Sequence, residues 1–216
     1  MFFGSTCSGC EAPGPVICAT CAARLQRPAP FPPPRGLTTC VALLVYVGVA
    51  RRLIVDVKYR NARPLVARLA AGLTSVAIVA PAPHSADPCS IDLVTWAPTS
   101  AQRRRARGYD QAELLAAAVA RRLGVPCRSL LTRRCGPAQT GQARGARRTG
   151  PTFRAAPCRG QRVLVVDDVM TTGATLVSAA SALRASGAVD IHAAVVARTP
   201  LATERPATEE KFTMSA

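Results

Sequence analysis

Residues 162–187 read RVLVVDDVMTTGATLVSAASALRASG. The apolar run Val163–Val166 leads straight into two adjacent carboxylates, Asp167 and Asp168, and then into the turn Val169, Met170, Thr171, Thr172, Gly173, Ala174, Thr175. Two acids at the tip of a buried strand are unfavourable unless something is held there. The helical pattern that follows begins near Thr172, so its unpaired N–H groups and positive dipole end point into the turn, an arrangement suited to phosphate. Gly173 lets backbone approach a ligand, and Thr171, Thr172 and Thr175 add hydroxyl donors. Carboxylates repel phosphate, so the acids must face another part of the same ligand, either vicinal hydroxyls or a bound Mg²⁺. A phosphorylated sugar satisfies both halves. The plainer alternative, Asp and Thr serving only as helix caps, needs one such residue rather than two acids and three threonines. No G-x-x-x-x-G-K-[ST] and no G-x-G-x-x-G after a strand is present, which disfavours a P-loop triphosphatase or a dinucleotide fold.

Two further clusters carry chemistry. In WAPTSAQRRRARGYDQAELLA (96–116), Arg103 and Arg107 precede Gly108 in what reads as a loop on the same rim. Guanidinium forks match phosphate oxygens, and a solvated basic face is the competing reading. Cys7, Cys10, Cys18 and Cys21 form C-x₂-C-x₇-C-x₂-C. Paired thiolates at this spacing suit a closed, structural, tetrahedral Zn²⁺ site, with iron–sulfur ligation or stray thiols as alternatives. Cys40, Cys89, Cys127, Cys135 and Cys158 show no spacing signal, and neither His84 nor His192 has a cysteine partner. Trp96 and Tyr109 flank the arginine segment, where they either stack on a base or simply pack.

The elements that must position these groups alternate. TTCVALLVYV, SIDLVTWAP, RVLVVDD and AVDIHAAVVAR read as strands. GVARRLIVDVKYR, RPLVARLAAGL, YDQAELLAAAVARRLG and the segment after Gly173 read as helices, with Gly124 and Gly187 placed as C-terminal caps. Strand–helix alternation predicts an α/β fold with a mainly parallel sheet and helices on both faces, whose ligands sit beyond the carboxyl ends of the strands. The expected organisation is a four-cysteine zinc motif over 1–26, a proline-rich linker over 27–36, a main domain over 37–199 and a frayed tail over 200–216. The Gly/Arg/Gln-rich stretch 132–153 reads as a long mobile loop, either a linker or a cover for the site.

Of the 28 basic residues only Lys58 and Lys211 are lysines, and the formal net charge is +16. Such a charge favours polyanions, whether or not the arginines merely reflect coding composition. MFFGSTCSGC has no basic-then-apolar leader pattern. The most apolar run, CVALLVYVGVA, stops at Arg51-Arg52, short of the ~20 residues that span a bilayer. The expected setting is cytoplasmic, without membrane insertion.

VLVVDDVMTTGAT resembles the 5-phosphoribosyl-1-pyrophosphate (PRPP) motif of type I phosphoribosyltransferases. More of the chain is similar to the competence-associated ComF family: Tyr46, Leu53-Ile54 and Lys58-Tyr59, the run Arg103–Ala116, and Gln139, Arg147 and Phe153. Three positions depart from that pattern. Asp110 replaces Asn, WAP replaces Pro-Val-Pro, and Thr149 or Gly150 stands where Asn is usual. The resemblance implies a type I phosphoribosyltransferase fold behind a small zinc-ribbon-like segment. It places Asp167 and Asp168 on the ribose hydroxyls, Val169–Thr175 around the 5′-phosphate, and Arg103 and Arg107 at the pyrophosphate. It implies PRPP with Mg²⁺ as ligand, and phosphoribosyl transfer to a nitrogenous base with loss of pyrophosphate. The other function it implies is a non-catalytic accessory role in DNA uptake, with single-stranded DNA or a DNA-uptake helicase as partner. One tryptophan and three tyrosines leave little aromatic platform for stacking bases.

Overall fold

A computed structural model describes residues 5–60, 62–79, 91–134 and 150–200. His84, Cys89, Cys135, Gln139, Arg147 and the tail from 201 lie outside the described residues. Strands β1 (Thr39–Val45), β2 (Leu93–Trp96), β5 (Arg162–Met170) and β6 (Asp190–Arg198) form one sheet in the order β1-β6-β5-β2, with every pair parallel. β5 therefore runs through the middle, flanked by β6 and β2. Val163–Val166 are 0–1% exposed, as expected for a parallel strand covered on both faces.

Alternation along β5 divides the core. Leu164 and Val166 join α2 (Gly48–Tyr59), α3 (Arg63–Val79) and α5 (Gln111–Leu123) on one face, through Leu53, Leu65, Leu73 and Leu115. Val163 and Val165 join Leu176, Ala179 and Leu183 of α6 (Ala174–Ala185) on the other. The expected parallel α/β sheet is thus present, with the helices built from Ala, Val and Leu stripes. Gly124 ends α5 at φ +70°, where the sequence places a cap, and Asp110, read from the sequence only as a departure from the family pattern, accepts from the Ala112 N–H at 3.0 Å to start the helix.

Two expectations are revised. The segment before Gly108 is not a loop but a short helix, α4 (Ala101–Arg107), capped by the Ser100 hydroxyl and ended by Gly108 at φ +79°. Ser100 supplies the N-cap acceptor, and nothing in the seven residues AQRRRAR breaks a helix. The ends of the 132–153 stretch are also ordered, since β3 (Leu131–Arg133) and β4 (Phe153–Ala155) pair antiparallel over α6. Leu131 and Phe153 are buried there, an anchoring that the polar composition between them conceals.

The proline-rich stretch lies against the carboxyl edge of the sheet. The Gln26 carbonyl accepts from Val45 N–H at 2.8 Å, the Ala29 carbonyl accepts from Arg198 Nη2 at 3.3 Å, and the Arg198 guanidinium sits 4.7 Å from the Phe31 ring centroid. Arg198 is 2% exposed at the end of β6, so these contacts help satisfy a charge that burial would otherwise penalise.

Ahead of that stretch the four cysteine sulfurs lie within 4.8 Å of one another, and Cys10 Sγ and Cys18 Sγ are 3.8 Å apart. A tetrahedral ion at about 2.3 Å from each sulfur requires sulfurs roughly 3.8 Å apart, so the cluster fits one. The Cys7 sulfur accepts from Cys18 N–H at 3.3 Å and Gly9 N–H at 3.4 Å, and the Cys18 sulfur accepts from Cys21 N–H at 3.4 Å. Burial pushes the Cys7 thiol up, but donors from Cys18, Gly9 and Cys10 outweigh it and bring it to about 6. Burial and the neighbouring sulfurs drive Cys21 up to about 12. Thiolate character is favoured at one corner and opposed at another, a mismatch that a bound cation removes.

Cys7 and Cys21 belong to the same apolar cluster as Val49 and Leu53 of α2, so the cysteine knuckle rests on that helix. Gly9 sits at the contact. A Cβ there would lie 2.6 Å from Cys21 Sγ and 3.0 Å from Val49 Cγ1. Gly9→Ala is therefore expected to destabilise the fold by about 1–3 kcal/mol. Ser8→Ala, one residue away, serves as the control, and thermal melting of both variants against the unaltered chain checks the difference.

Candidate functional site

β5 delivers Asp167 and Asp168 to the carboxyl edge of the sheet, and strand alternation separates them. Asp167 borders an open hollow of about 220 Å³ lined also by Val169–Leu176. Asp168 is not among its lining residues and is buried on the other side, at 7% exposure. The hollow is made by the turn and the first residues of α6. Gly173 is the N-cap, at φ +75°, and brings no side chain to the helix end. Thr172 Oγ1 accepts only a long 3.4 Å bond from Ala174 N–H, and neither aspartate caps α6. The helix N-terminus therefore opens on the hollow with its polar groups available to a ligand. Thr171 and Thr172 are exposed, and Thr175 is half-buried.

Gly173 is required twice over. Its backbone is left-handed, and a Cβ would meet Pro34 Cγ at 3.1 Å. Proline-rich residues thus form one wall next to the Val169–Thr175 turn, a role that composition alone does not show. Opposite, Gly150 lies so close to the start of α6 that a Cβ would sit 2.8 Å from Ala174 Cβ and 3.0 Å from its carbonyl carbon. Gly150 thus lies beside the same turn.

The two acids differ electrostatically. Asp167 is held well above the usual carboxylate range, first by desolvation and then by the Asp168 charge, against a 2.8 Å bond from Asp168 N–H to its Oδ1 and the more distant pull of Lys58. Asp168 Oδ2 lies 3.1 Å from Lys58 Nζ and accepts from Gln111 Nε2 at 2.8 Å. Gln111 Oε1 in turn accepts from Arg107 Nη1 at 2.9 Å. Arg107 completes the chain of contacts by donating to Tyr59 Oη at 3.3 Å, its guanidinium 4.9 Å from that ring's centroid.

Arg107 is therefore brought to the acid pair through Gln111. Arg103 is exposed on α4 together with Arg104 and Arg105. Asp110 stays close to backbone duty, since its Oδ2 accepts from Thr99 N–H at 2.8 Å while Oδ1 caps α5. An asparagine would keep one of these two acceptors, since its amide nitrogen only donates. Burial, only partly offset by these donors, pushes the Asp110 carboxyl up. Tyr109 donates to the Val57 carbonyl at 2.7 Å and so ties α5 to α2 rather than facing a ligand. His192 has its Nδ1 2.8 Å from the Thr39 hydroxyl inside the β1–β6 ladder, and burial lowers its basicity.

Sequence reasoning missed Lys58, Gln111 and Tyr59 as parts of the site. Lys58 and Tyr59 were quoted for resemblance only, and lie over a hundred residues before the acids they serve. Gln111 reads as an ordinary first-turn helix residue. A signal was present for Lys58, because it is one of two lysines among 28 basic residues. A chain that otherwise uses arginine retains the compact ammonium at this position.

A family model described as phosphoribosyl transferase domain matches residues 110–215. DNA utilization protein YhgH of Salmonella typhimurium is 26% identical over 200 residues, spanning 90% of this chain and 85% of that protein. Among solved structures, glutamine phosphoribosylpyrophosphate amidotransferase from B. subtilis aligns with TM-score 0.42 and 20% identity over 66% of this chain and 30% of that one. Orotate phosphoribosyltransferase from Aeropyrum pernix aligns with TM-score 0.38 and 21% identity over 68% and 64%. The chain thus spans under a third of the amidotransferase and just under two thirds of the orotate enzyme. With the parallel sheet, the acid-tipped central strand and the four-cysteine cluster ahead of it, these matches give the chain a phosphoribosyl transferase domain over residues 110–215 and a likeness, over nine tenths of its length, to a ComF-like DNA utilization protein.

Proposed function

We propose that the hollow beside Asp167 binds PRPP, and that the protein transfers its phosphoribosyl group to a nitrogenous base. The observation that carries this reading is the pairing, in one hollow, of a carboxylate held by its neighbour's backbone N–H with a helix N-terminus whose N-cap residue is glycine. The turn Val169–Thr175 would take the 5′-phosphate through backbone N–H groups and threonine hydroxyls. Asp167 would accept from the ribose hydroxyls, and Arg107 would stand toward the pyrophosphate. In the reaction the bond from ribose C1 to pyrophosphate oxygen breaks, the bond from C1 to the base nitrogen forms, and the nitrogen's proton leaves to solvent. Such a step needs positioning and charge stabilisation more than covalent help from the protein. Mg²⁺ carried with PRPP would supply neutralisation of the departing pyrophosphate.

Calorimetric titration with PRPP and Mg²⁺ is expected to show saturable binding, weakened about ten- to a hundredfold by Asp167→Asn, as for loss of a charged hydrogen bond. The pH dependence follows from the raised Asp167 carboxyl. Ribose hydroxyls bind the ionised form, so affinity should rise as pH rises through the Asp167 midpoint, and Asp167→Asn should flatten the profile. No saturable heat from the unaltered chain would sink the reading.

Zn²⁺ is the ion we assign to Cys7, Cys10, Cys18 and Cys21, on the four-sulfur donor set and its spacing. Elemental analysis should return about one zinc per chain, and chelation or Cys10→Ser should lower the melting temperature. A chain purified without metal that melts unchanged on adding zinc would refute it.

A second reading, binding of single-stranded nucleic acid, has its own support. Arg103, Arg104 and Arg105 stand exposed on α4, which carries no acid, and the curated relative is named for DNA utilization. If this face grips phosphates, replacing the three arginines by glutamine should reduce the salt dependence of oligonucleotide binding, lowering the log–log slope by about two. Equal slopes for both chains would exclude α4 from the contact.

A further inference from the structure

Three carboxylates converge where β5 meets the start of α5. Asp110 and Asp168 both oppose ionisation of Asp167, and the Asp168 charge also acts on Asp110. One cation acts against them at short range. Lys58 Nζ is 3.1 Å from Asp168 Oδ2, with the lysine side chain 21% exposed and the carboxylate 10%. A lysine is seldom so covered unless it is paired, and here its stem runs beside the apolar face that α2 buries through Leu53, Ile54 and Val57.

The pair does not end at two residues. The carboxylate oxygen that meets Lys58 also accepts from Gln111, Gln111 accepts from Arg107, and Arg107 donates to and stacks on Tyr59. Lys58 and Tyr59 are neighbours in the last turn of α2, so the contacts close a ring through α2, β5, α5 and α4. Each member restricts the next, and Gln111 is oriented by having its amide donor on Asp168 and its amide oxygen on Arg107. Removing the ammonium would leave Asp168 buried with one neutral donor and two acids nearby, at a cost that reorientation relieves. Any turn of Asp168 moves Gln111, and with it the guanidinium on the rim.

We propose that Lys58 is a positioning residue of the phosphoribosyl site, holding Asp168 and, through Gln111, the Arg107–Tyr59 pair in the arrangement that the ligand meets. The proposal rests on the PRPP reading above. It divides the work of the two acids: Asp167 faces the ligand, and Asp168 with Lys58 holds the frame.

The test is calorimetric titration of the full chain with PRPP and Mg²⁺ for four proteins: unaltered, Lys58→Met, Lys58→Arg and Val57→Ala. Lys58→Met is expected to weaken binding about tenfold or more, as for a buried pair that loses one partner. Lys58→Arg restores the cation and should stay within about threefold of the unaltered chain. Val57→Ala removes buried apolar contact one residue away, so it should lower the melting temperature and leave affinity within about twofold. That contrast separates positioning from general loosening of α2, whatever Lys58→Met does to stability. Binding by Lys58→Met as tight as the unaltered chain overturns the inference alone. So does Lys58→Arg binding as weakly as Lys58→Met, or Val57→Ala losing as much affinity. An unaltered chain that takes up no PRPP overturns the reading of the site, and this inference with it.

Discussion

Two adjacent carboxylates at the end of a central, doubly covered strand are the constraint from which the site follows. Val163–Val166 fix β5 in the interior at 0–1% exposure, and period-two alternation then forces Asp167 and Asp168 to opposite sides. Neither can be left alone in that setting. Asp168 is compensated from within the protein by Lys58 and Gln111. Asp167 accepts from the Asp168 N–H at the edge of the hollow, and burial with the Asp168 charge pushes its carboxyl up. One acid is thus built into the frame while the other borders the hollow, an asymmetry that supports reading the hollow as a binding site rather than a gap in packing.

The rest of the architecture supports that asymmetry. α2 carries Lys58 and Tyr59 in its last turn, and it is braced near both ends by the cysteine knuckle. Val49 packs against Gly9 and Cys21 at the start, and Glu11 meets Arg60 at 3.0 Å beyond the end. The Glu11–Arg60 pair is exposed and contributes little by itself. The buried contact at Val49 matters more, because it joins the knuckle to the core that also holds Leu164 and Val166. The proline-rich stretch then crosses to the other side of the site, where Pro34 bounds Gly173. Residues 5–36 therefore reach both sides of the hollow, one through α2 and the other through the turn.

How much of this was legible depends on whether the signal was local. The strand, the acids, the threonine turn and α6 could be read from one 26-residue stretch, since pattern and chemistry coincide there. The end of α5 at Gly124 was likewise written locally. The Lys58–Asp168 pair was not, because it joins residues 110 apart in the chain, and nothing in GVARRLIVDVKYR indicates which side of the sheet its last turn will reach. α4 was read as a loop because a run of arginines has no apolar period. Its helix is set by Ser100 and Gly108 at the two ends, not by a buried face. The wall made by Pro34 was hidden for a related reason. Proline composition predicts the absence of helix and says nothing about what the extended chain lies against.

The charge of the protein needs the same distinction between local and global causes. A net +16 invites the inference that arginine is present for polyanions, yet the described arginines do several jobs. Arg162 pairs with Asp92 across β2 and β5 at 2.8 Å, Arg198 is buried against Phe31 and the proline-rich stretch, and Arg184 ties the end of α6 to the Val189 carbonyl. Arg107 is bound into the ring at the site. The arginines left exposed include Arg103, Arg104 and Arg105 on α4, and those three stand on the same short helix whose last residue reaches the acid pair. A strand of phosphates held on α4 would therefore press on Arg107, Gln111 and Asp168 in turn. By linkage, any ligand in the hollow that prefers one setting of Arg107 must change affinity at α4 by the same factor that nucleic acid changes its own. The two functional readings are for that reason not alternatives in physical terms, because α4 is the element through which one site would sense the other.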